Sequence, residues 1–467
     1  MSAAVPSPYP PDSTAAPLRV IAIVPAYNEE AGLGDTLRSL LAQDTPFDEI
    51  IVVDDGSADR TAAIARAYGV TVLRPERNLG SKAKAQNYAL AQIVARPESD
   101  HPDLVVPVDA DTVFARDYLT EIQKPFTDPN VAIAGGSVLT RHAHTIWERG
   151  RLVEYLTGFH FYRQVQNAFD SPLVCSGCCS AFRLTYLVEF GGFPERTIVE
   201  DIDYTWSQQI MGRRAVYVHA AVAYAAEPVN LTYLRKQLNR WKHGYFQNVR
   251  IHWRSMLQRK KMLALWVNLS LFSIIISPLT VAMPAIWLLN GHSVRQVTLW
   301  SVGADLAILA LPLSMGIVQR RLNPLKVLLS VPCFYVLKMI NFWYDMKCFV
   351  IELILVPRGL ATGLHHYEKG RSDDLDVRAG AIAAVQPVVT PPSVPAPRQR
   401  IRHESEPTTA PPTTAPSAPN RGEYDLDWSI ERWREYLHSE TTAAIDELNR
   451  ELRSISEDCY PQLWRAT

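Results

Sequence analysis

The chain lacks both glycine-rich loops that would tie it to a familiar phosphate-binding reaction. Neither G-x-G-x-x-G nor G-x-x-x-x-G-K-[ST] occurs in it. Dehydrogenase and kinase readings therefore lose their main support. An excess of positive charge is missing too: 47 Lys and Arg stand against 48 Asp and Glu, a net charge of -1, so no basic field argues for nucleic acid. The six cysteines (Cys175, Cys178, Cys179, Cys333, Cys348 and Cys459) form no paired framework, which suits a reducing cytoplasmic setting. Cys175-x-x-Cys178-Cys179 has the spacing of half a zinc site, but no second Cys or His pair accompanies it, and it reads as small buried residues. Residues 1–17 are rich in Pro, Ser and Ala and carry no apolar run. They are expected to be disordered, neither signal peptide nor anchor.

What is present begins at residue 18. A length of 467 residues exceeds one ordinary core, so more than one region is expected. Apolar runs at 18–24, 49–53, 70–73 and 104–108 alternate with helical spacing at 33–42, 58–68 and 82–94. Continuous apolar strands alternating with helices predict an α/β domain, a parallel sheet covered on both faces. Ligands of such sheets bind beyond the carboxyl ends of the strands. Asn28, Asp54, Asp55, Asp109 and Asp111 fall at those ends.

Each tip has a chemical use. Asp109-Ala110-Asp111 sets two carboxylates beside one strand end, which suits a hard divalent cation that also holds phosphate oxygens. Asp54-Asp55-Gly56-Ser57 is a tight turn whose acid would accept bonds from a base or ribose, or it is an ordinary turn with a helix N-cap. Lys82, after Gly80-Ser81, is either a point charge for a diphosphate or a surface lysine. Further on, Gly191-Gly192-Phe193-Pro194 leads to Glu200-Asp201 and then to Gln237-Leu238-Asn239-Arg240-Trp241. Glu200, Asp201 and Asp203 lie within four residues, and crowded carboxylates repel unless a cation is near or one of them serves as a base.

Taken together, Val24-Pro25-Ala26-Tyr27-Asn28-Glu29, Asp54-Asp55-Gly56-Ser57, Asp109-Ala110-Asp111, Glu200-Asp201 and Gln237-x-x-Arg240-Trp241 resemble the inverting family 2 glycosyltransferases. The similarity is to their membrane-bound Q-x-x-R-W branch, which includes synthases of cellulose, chitin, hyaluronan and poly-N-acetylglucosamine. It runs from about residue 18 to 244. The resemblance implies the type A Rossmann-like nucleotide-sugar fold, a UDP-sugar donor, and Mg²⁺ or Mn²⁺ held by Asp109 and Asp111. It assigns the donor to Ala26, Tyr27, Glu29, Asp54 or Asp55, Lys82, Asp109 and Arg240. It assigns the acceptor to Gly177, Gly192, Gln237 and Trp241, and the catalytic base to Asp201 beside Glu200. The family's usual threonine before the acidic pair is Val199 here. The implied activity is transfer of a hexose or N-acetylhexosamine to a growing glycan with a β-linked product. Single addition to a lipid or protein acceptor is the alternative, and an inactive membrane scaffold a further one.

After residue 250 the composition changes. Apolar stretches near 262–289 and 297–318 are long enough to span, and 325–356 is a third span or an interfacial helix. Arg250, Arg254, Arg259, Lys260 and Lys261 precede the first, and Arg320, Arg321 and Lys326 follow the second, while the loop between them carries only Arg295. That bias predicts an integral membrane protein with residues 18–250 on the cytoplasmic side. With the membrane region ending near 371, residues 372–420 read as a Pro-rich disordered linker. Residues 421–467 read as an amphipathic helical tail, either a docking element for a protein partner or a cap on the domain.

Overall fold

The structure, a computed structural model, describes residues 17–362. The expected disordered start, the linker and the helical tail lie outside the described residues.

The first half of the domain follows the apolar pattern. It runs β1 (Val20–Ala26), α1 (Leu33–Leu41), β2 (Glu49–Asp54), α2 (Thr61–Ala67), β3 (Thr71–Leu73), α3 (Lys82–Val94) and β4 (Leu104–Pro107). β1 is parallel to both β2 and β4, and β2 to β3. Alternate residues of these strands serve opposite faces. Val20, Ala22 and Val24 pack with Leu33, Leu37 and Leu40 of α1. Ile21 and Ile23 pack with Ala89, Leu90 and Ile93 of α3. Each such branched side chain contributes about 1.5–3 kcal/mol by leaving water, so two filled faces fix the register of the strands. α3 starts at Ser81, whose hydroxyl accepts the Lys84 N–H and so sets Lys82 on the first turn at the sheet edge.

The second half departs from the expected parallel sheet. It runs β5 (Val113–Phe114), α4 (Tyr118–Ile122), β6 (Val131–Thr140), α5 (Ile146–Thr157), α6 (Arg163–Ala168), β7 (Ser180–Arg183), α7 (Leu184–Phe190), α8 (Glu200–Ile210) and β8 (Arg214–Ala225). The full order is β3-β2-β1-β4-β7-β6-β8-β5. β7 is antiparallel to both β4 and β6, so the sheet is mixed. Gly135 and Gly136 allow this closure. A Cβ on Gly135 would lie 2.8 Å from Cys175, and one on Gly136 2.7 Å from the Ala221 carbonyl.

Four long helices complete the described chain: α9 (Leu231–Arg259), α10 (Lys261–Leu289), α11 (Val294–Arg320) and α12 (Pro324–Phe349). The segments Lys261–Leu289, Val294–Arg320 and Pro324–Arg358 are long and apolar enough to cross a membrane. α12 is nevertheless tied to the sheet domain along its length. Gly150 of α5 sits against Cys333 and Leu337, where a Cβ would be 2.9 Å from the Cys333 carbonyl. Farther along, Tyr344 accepts from Arg235 and Lys242 donates to Asp345, and just beyond α12, in the segment Val350–Leu355, Glu352 meets His243 at 2.8 Å. Leu325, Leu328, Leu329, Met339 and Trp343 are exposed.

Candidate active site

The tips of β1, β2 and β4 and the starts of α3, α8 and α9 surround one cavity of about 670 Å³. Ala26, Tyr27 and Glu29 enter it from the turn after β1, where Asn28 holds a left-handed φ of 52°. The Asn28 side chain accepts the Ala58 N–H at 2.9 Å and its own N–H donates to Ser57, which locks the β1 and β2 tips together. The pair Asp54 and Asp55 divides. Asp54 is buried away from the cavity, accepting the Ser57 N–H and pairing with Arg74 at 2.9 Å. Asp55 lines the cavity and accepts the Leu79 N–H at 2.7 Å. Burial raises its pKa above the ordinary carboxylate value, against the backbone N–H groups of Leu79 and Gly80.

Lys82 sits between the two acidic motifs. Its Nζ lies 2.5 Å from Asp109 and 3.6 Å from Glu200, and donates to the Gly177 carbonyl at 3.2 Å. Burial alone would lower its pKa, but the Asp109 and Glu200 carboxylates more than reverse this and raise it. Gly177 packs closely on the same groups: a Cβ there would lie 3.3 Å from Asp201 and 3.4 Å from Lys82.

Asp201 lies in the first turn of α8, where the helix N-terminus favours a negative charge. Its carboxylate accepts the N–H groups of Gly177 and Ile202, each at 2.8 Å. Burial first, then the neighbouring Glu200 charge, push its pKa up to about 6, against the Gly177 N–H and Lys82. Asp203, two residues on, points elsewhere. It is bound by Arg196 at 2.6 and 2.7 Å and by His252 at 2.7 Å, so the crowding read from the sequence is resolved by splitting the acids between two environments.

Gln237, Arg240 and Trp241 line the cavity from α9. Asp109 and Asp111 line it together, while Gly192 does not. Gly191 and Gly192 hold φ of 93° and 94° in the turn that ends α7, and the Phe193 N–H donates to Asn87 on α3. Sequence reasoning did not single out Arg151, Glu154 and Tyr155 of α5 or Glu227 beyond β8, all of which line the cavity. The signal available was the i, i+3, i+4 spacing that puts the first three on one helical face.

Residues 17–244 match the family model described as glycosyltransferase like family 2. This segment belongs to glycosyltransferase family 2. Among relatives of the family 2 domain, hyaluronan synthase of Streptococcus pyogenes is 32% identical over 266 residues, covering 53% of this chain and 62% of that protein. An N-acetylglucosaminyltransferase of Bradyrhizobium diazoefficiens is 32% identical over 252 residues, covering 50% of each chain. The chain thus spans under two thirds of these relatives' own length. The mannosyltransferase PcManGT from Pyrobaculum calidifontis, solved with GDP-Man and Mn²⁺, superposes with a TM-score of 0.53 at 23% identity. The match covers 75% of this chain and 90% of that one, and shows a shared type A fold.

Proposed function

We propose that the chain is an inverting, metal-dependent membrane hexosyltransferase that moves a hexose or N-acetylhexosamine from a UDP-sugar to a growing glycan. The observation that carries this reading is Asp201, a carboxylate held by two backbone N–H groups on the wall of the cavity that Lys82, Asp109 and Arg240 also line. A sugar hydroxyl is a poor nucleophile, so a base must take its proton as the new bond forms. Asp201 takes that proton, the acceptor oxygen bonds to the anomeric carbon, and the old carbon–oxygen bond breaks with its electron pair leaving on the diphosphate. One in-line displacement inverts the anomeric centre, so an α-linked donor gives a β-linked product. Lys82 and Arg240 face the charge that builds on the leaving group. That Asp55 lines the cavity and Asp54 does not supports Asp55 as the acid that meets the nucleoside.

Asp109 and Asp111 suit a divalent ion by the chemistry of their donors. Two hard carboxylate oxygens without His or Cys favour Mg²⁺ or Mn²⁺. No group of three or more His, Cys, Asp or Glu that would hold a metal occurs among the described residues, so the donor's phosphates would complete the shell. When bound, the ion neutralises charge on the departing diphosphate. Excess chelator should therefore abolish turnover, with Mg²⁺ or Mn²⁺ restoring it. Full activity in chelator would remove the metal role.

A pH profile tests the base. Asp201 acts only when ionised, and its pKa is raised to about 6. Transfer kcat/KM should then be flat above that value and fall about tenfold per pH unit below it. Glu200→Gln takes away a neighbouring negative charge and should move the acid limb to lower pH. A profile without an acid limb between pH 5 and 7 would argue against Asp201.

The charge bias around α10 and α11 supports a cytoplasmic catalytic domain. The ties of α12 to α5 and α9 support an interfacial helix rather than a third span. Incubating membranes with labelled UDP-sugars and sizing the products tests the whole reading. Transfer from none of them would sink it.

A further inference from the structure

The cavity holds a carboxylate for which the transfer chemistry above has no use. Glu227 follows β8 and is almost wholly buried, yet it lines the cavity. The Tyr155 hydroxyl donates to its Oε1 at 2.6 Å. Its Oε2 accepts no hydrogen bond and lies 3.5 Å from Arg151 Nε. Arg151 is itself heavily engaged. It donates to Glu154 at 2.5 Å and to Gln237 at 2.8 Å, and its guanidinium lies 4.8 Å from the centre of the Trp241 ring. Two carboxylates thus share one guanidinium, and that guanidinium sets two side chains of the Gln237–Trp241 face. Arg163, which also lines the cavity, donates to Ser176 and lies over Phe159. A buried carboxylate oxygen held only by a 3.5 Å ion pair keeps hydrogen-bonding capacity that a ligand hydroxyl could use. Burial holds the Glu227 pKa up at about 6 against Arg151 and the Tyr155 hydroxyl, as expected for an under-solvated acid.

We propose that Glu227 selects the acceptor: Oε2 receives a hydroxyl of a neutral pyranose lying along Gln237 and Trp241, and the same carboxylate, with Glu154, repels a sugar that bears a carboxylate. This rests on the glycosyltransferase reading and deepens it, because it names the acceptor class as neutral glycan. Hydroxyl recognition by a charged acceptor discriminates by about 10- to 100-fold, and like-charge juxtaposition adds to that against a uronate.

The test is binding of defined oligosaccharides to the purified full-length protein in the presence of UDP. β-linked glucose and N-acetylglucosamine oligomers are compared with the same oligomers ending in glucuronic acid. The neutral oligomers should bind at least tenfold more tightly. Glu227→Gln should bring the two classes within about threefold of each other, with UDP affinity reporting that the fold is intact. Glu227→Asp, which keeps the charge but withdraws it by one methylene, should weaken neutral binding and keep the discrimination. Equal affinities in the wild type, or a gap that survives Glu227→Gln, would overturn the proposal. Should Glu227→Gln fail to fold, loss of discrimination in Glu227→Asp would overturn it instead. The readout is separate from transfer. A chain that binds neutral oligomers but turns over no UDP-sugar would refute the transferase reading alone, while an active enzyme that binds both classes equally would refute only the selection.

Discussion

Asp201→Asn is expected to keep UDP-sugar affinity within about twofold and to lower transfer by roughly 10²–10⁴-fold, the range for loss of a general base. The amide fills the same space but cannot take the acceptor proton. Both Asp201 oxygens accept backbone N–H groups, so the amide loses one of those bonds. A lost hydrogen bond of that kind costs about 1 kcal/mol. The expected loss of rate corresponds to about 3–5 kcal/mol of barrier, so local distortion alone does not account for it. Titration with UDP and a count of labelled product separate the two effects. Near-normal turnover would end the assignment of Asp201 as base, whatever the affinity for UDP.

The parallel half of the domain was legible because its strands are continuous apolar runs that end in polar tips. The spacing predicts α3 at its observed bounds, Lys82–Val94, and β1, β2 and β4 within two residues. The antiparallel half was not. β6 and β8 are built largely from Ala, Gly and Val, and their partners lie far away in the chain, as in the pairing of Ile133 with Phe182. Nothing local in the sequence encodes such a register. The site divides in the same way. Asp55, Lys82, Asp109, Asp111 and Asp201, at strand tips and helix starts, reach the cavity because topology delivers them there, whereas Asp54 at the end of β2 turns to Arg74. Gly192 did not, since a Gly-Gly turn serves equally to end a helix, and Gly191 ends α7 with its N–H on the Val188 carbonyl. The Arg151–Glu154–Glu227 cluster escaped because burial, not spacing, marks it, and burial is decided by α5 and β8 meeting in space.

Gly244→Ala is expected to lower transfer at least about 100-fold, although Gly244 does not line the cavity. α9 carries Gln237, Arg240 and Trp241 and must lie directly on the segment that leads into Glu200 and Asp201. Gly244 makes that approach possible. A Cβ there would be 2.0 Å from Val199 Cγ2 and 2.7 Å from Val199 Cβ. The segment is gripped on either side as well: Gln247 accepts the Ile198 N–H, and Asn248 donates to the Val199 carbonyl. Val199 therefore cannot yield without shifting the first turn of α8, and Asp201 moves with it. Displacement of a reacting group by about 1 Å costs about 10²-fold in rate, and overpacking of this kind costs typically 1–3 kcal/mol in stability. Val199→Gly removes both clashing carbons, so the double variant should regain at least about tenfold of the lost turnover and part of the lost melting temperature. Two sites in contact couple in this way, whereas independent damage would simply add. A fully active Gly244→Ala, or a double variant no better than the single, would show that the base is not positioned through α9.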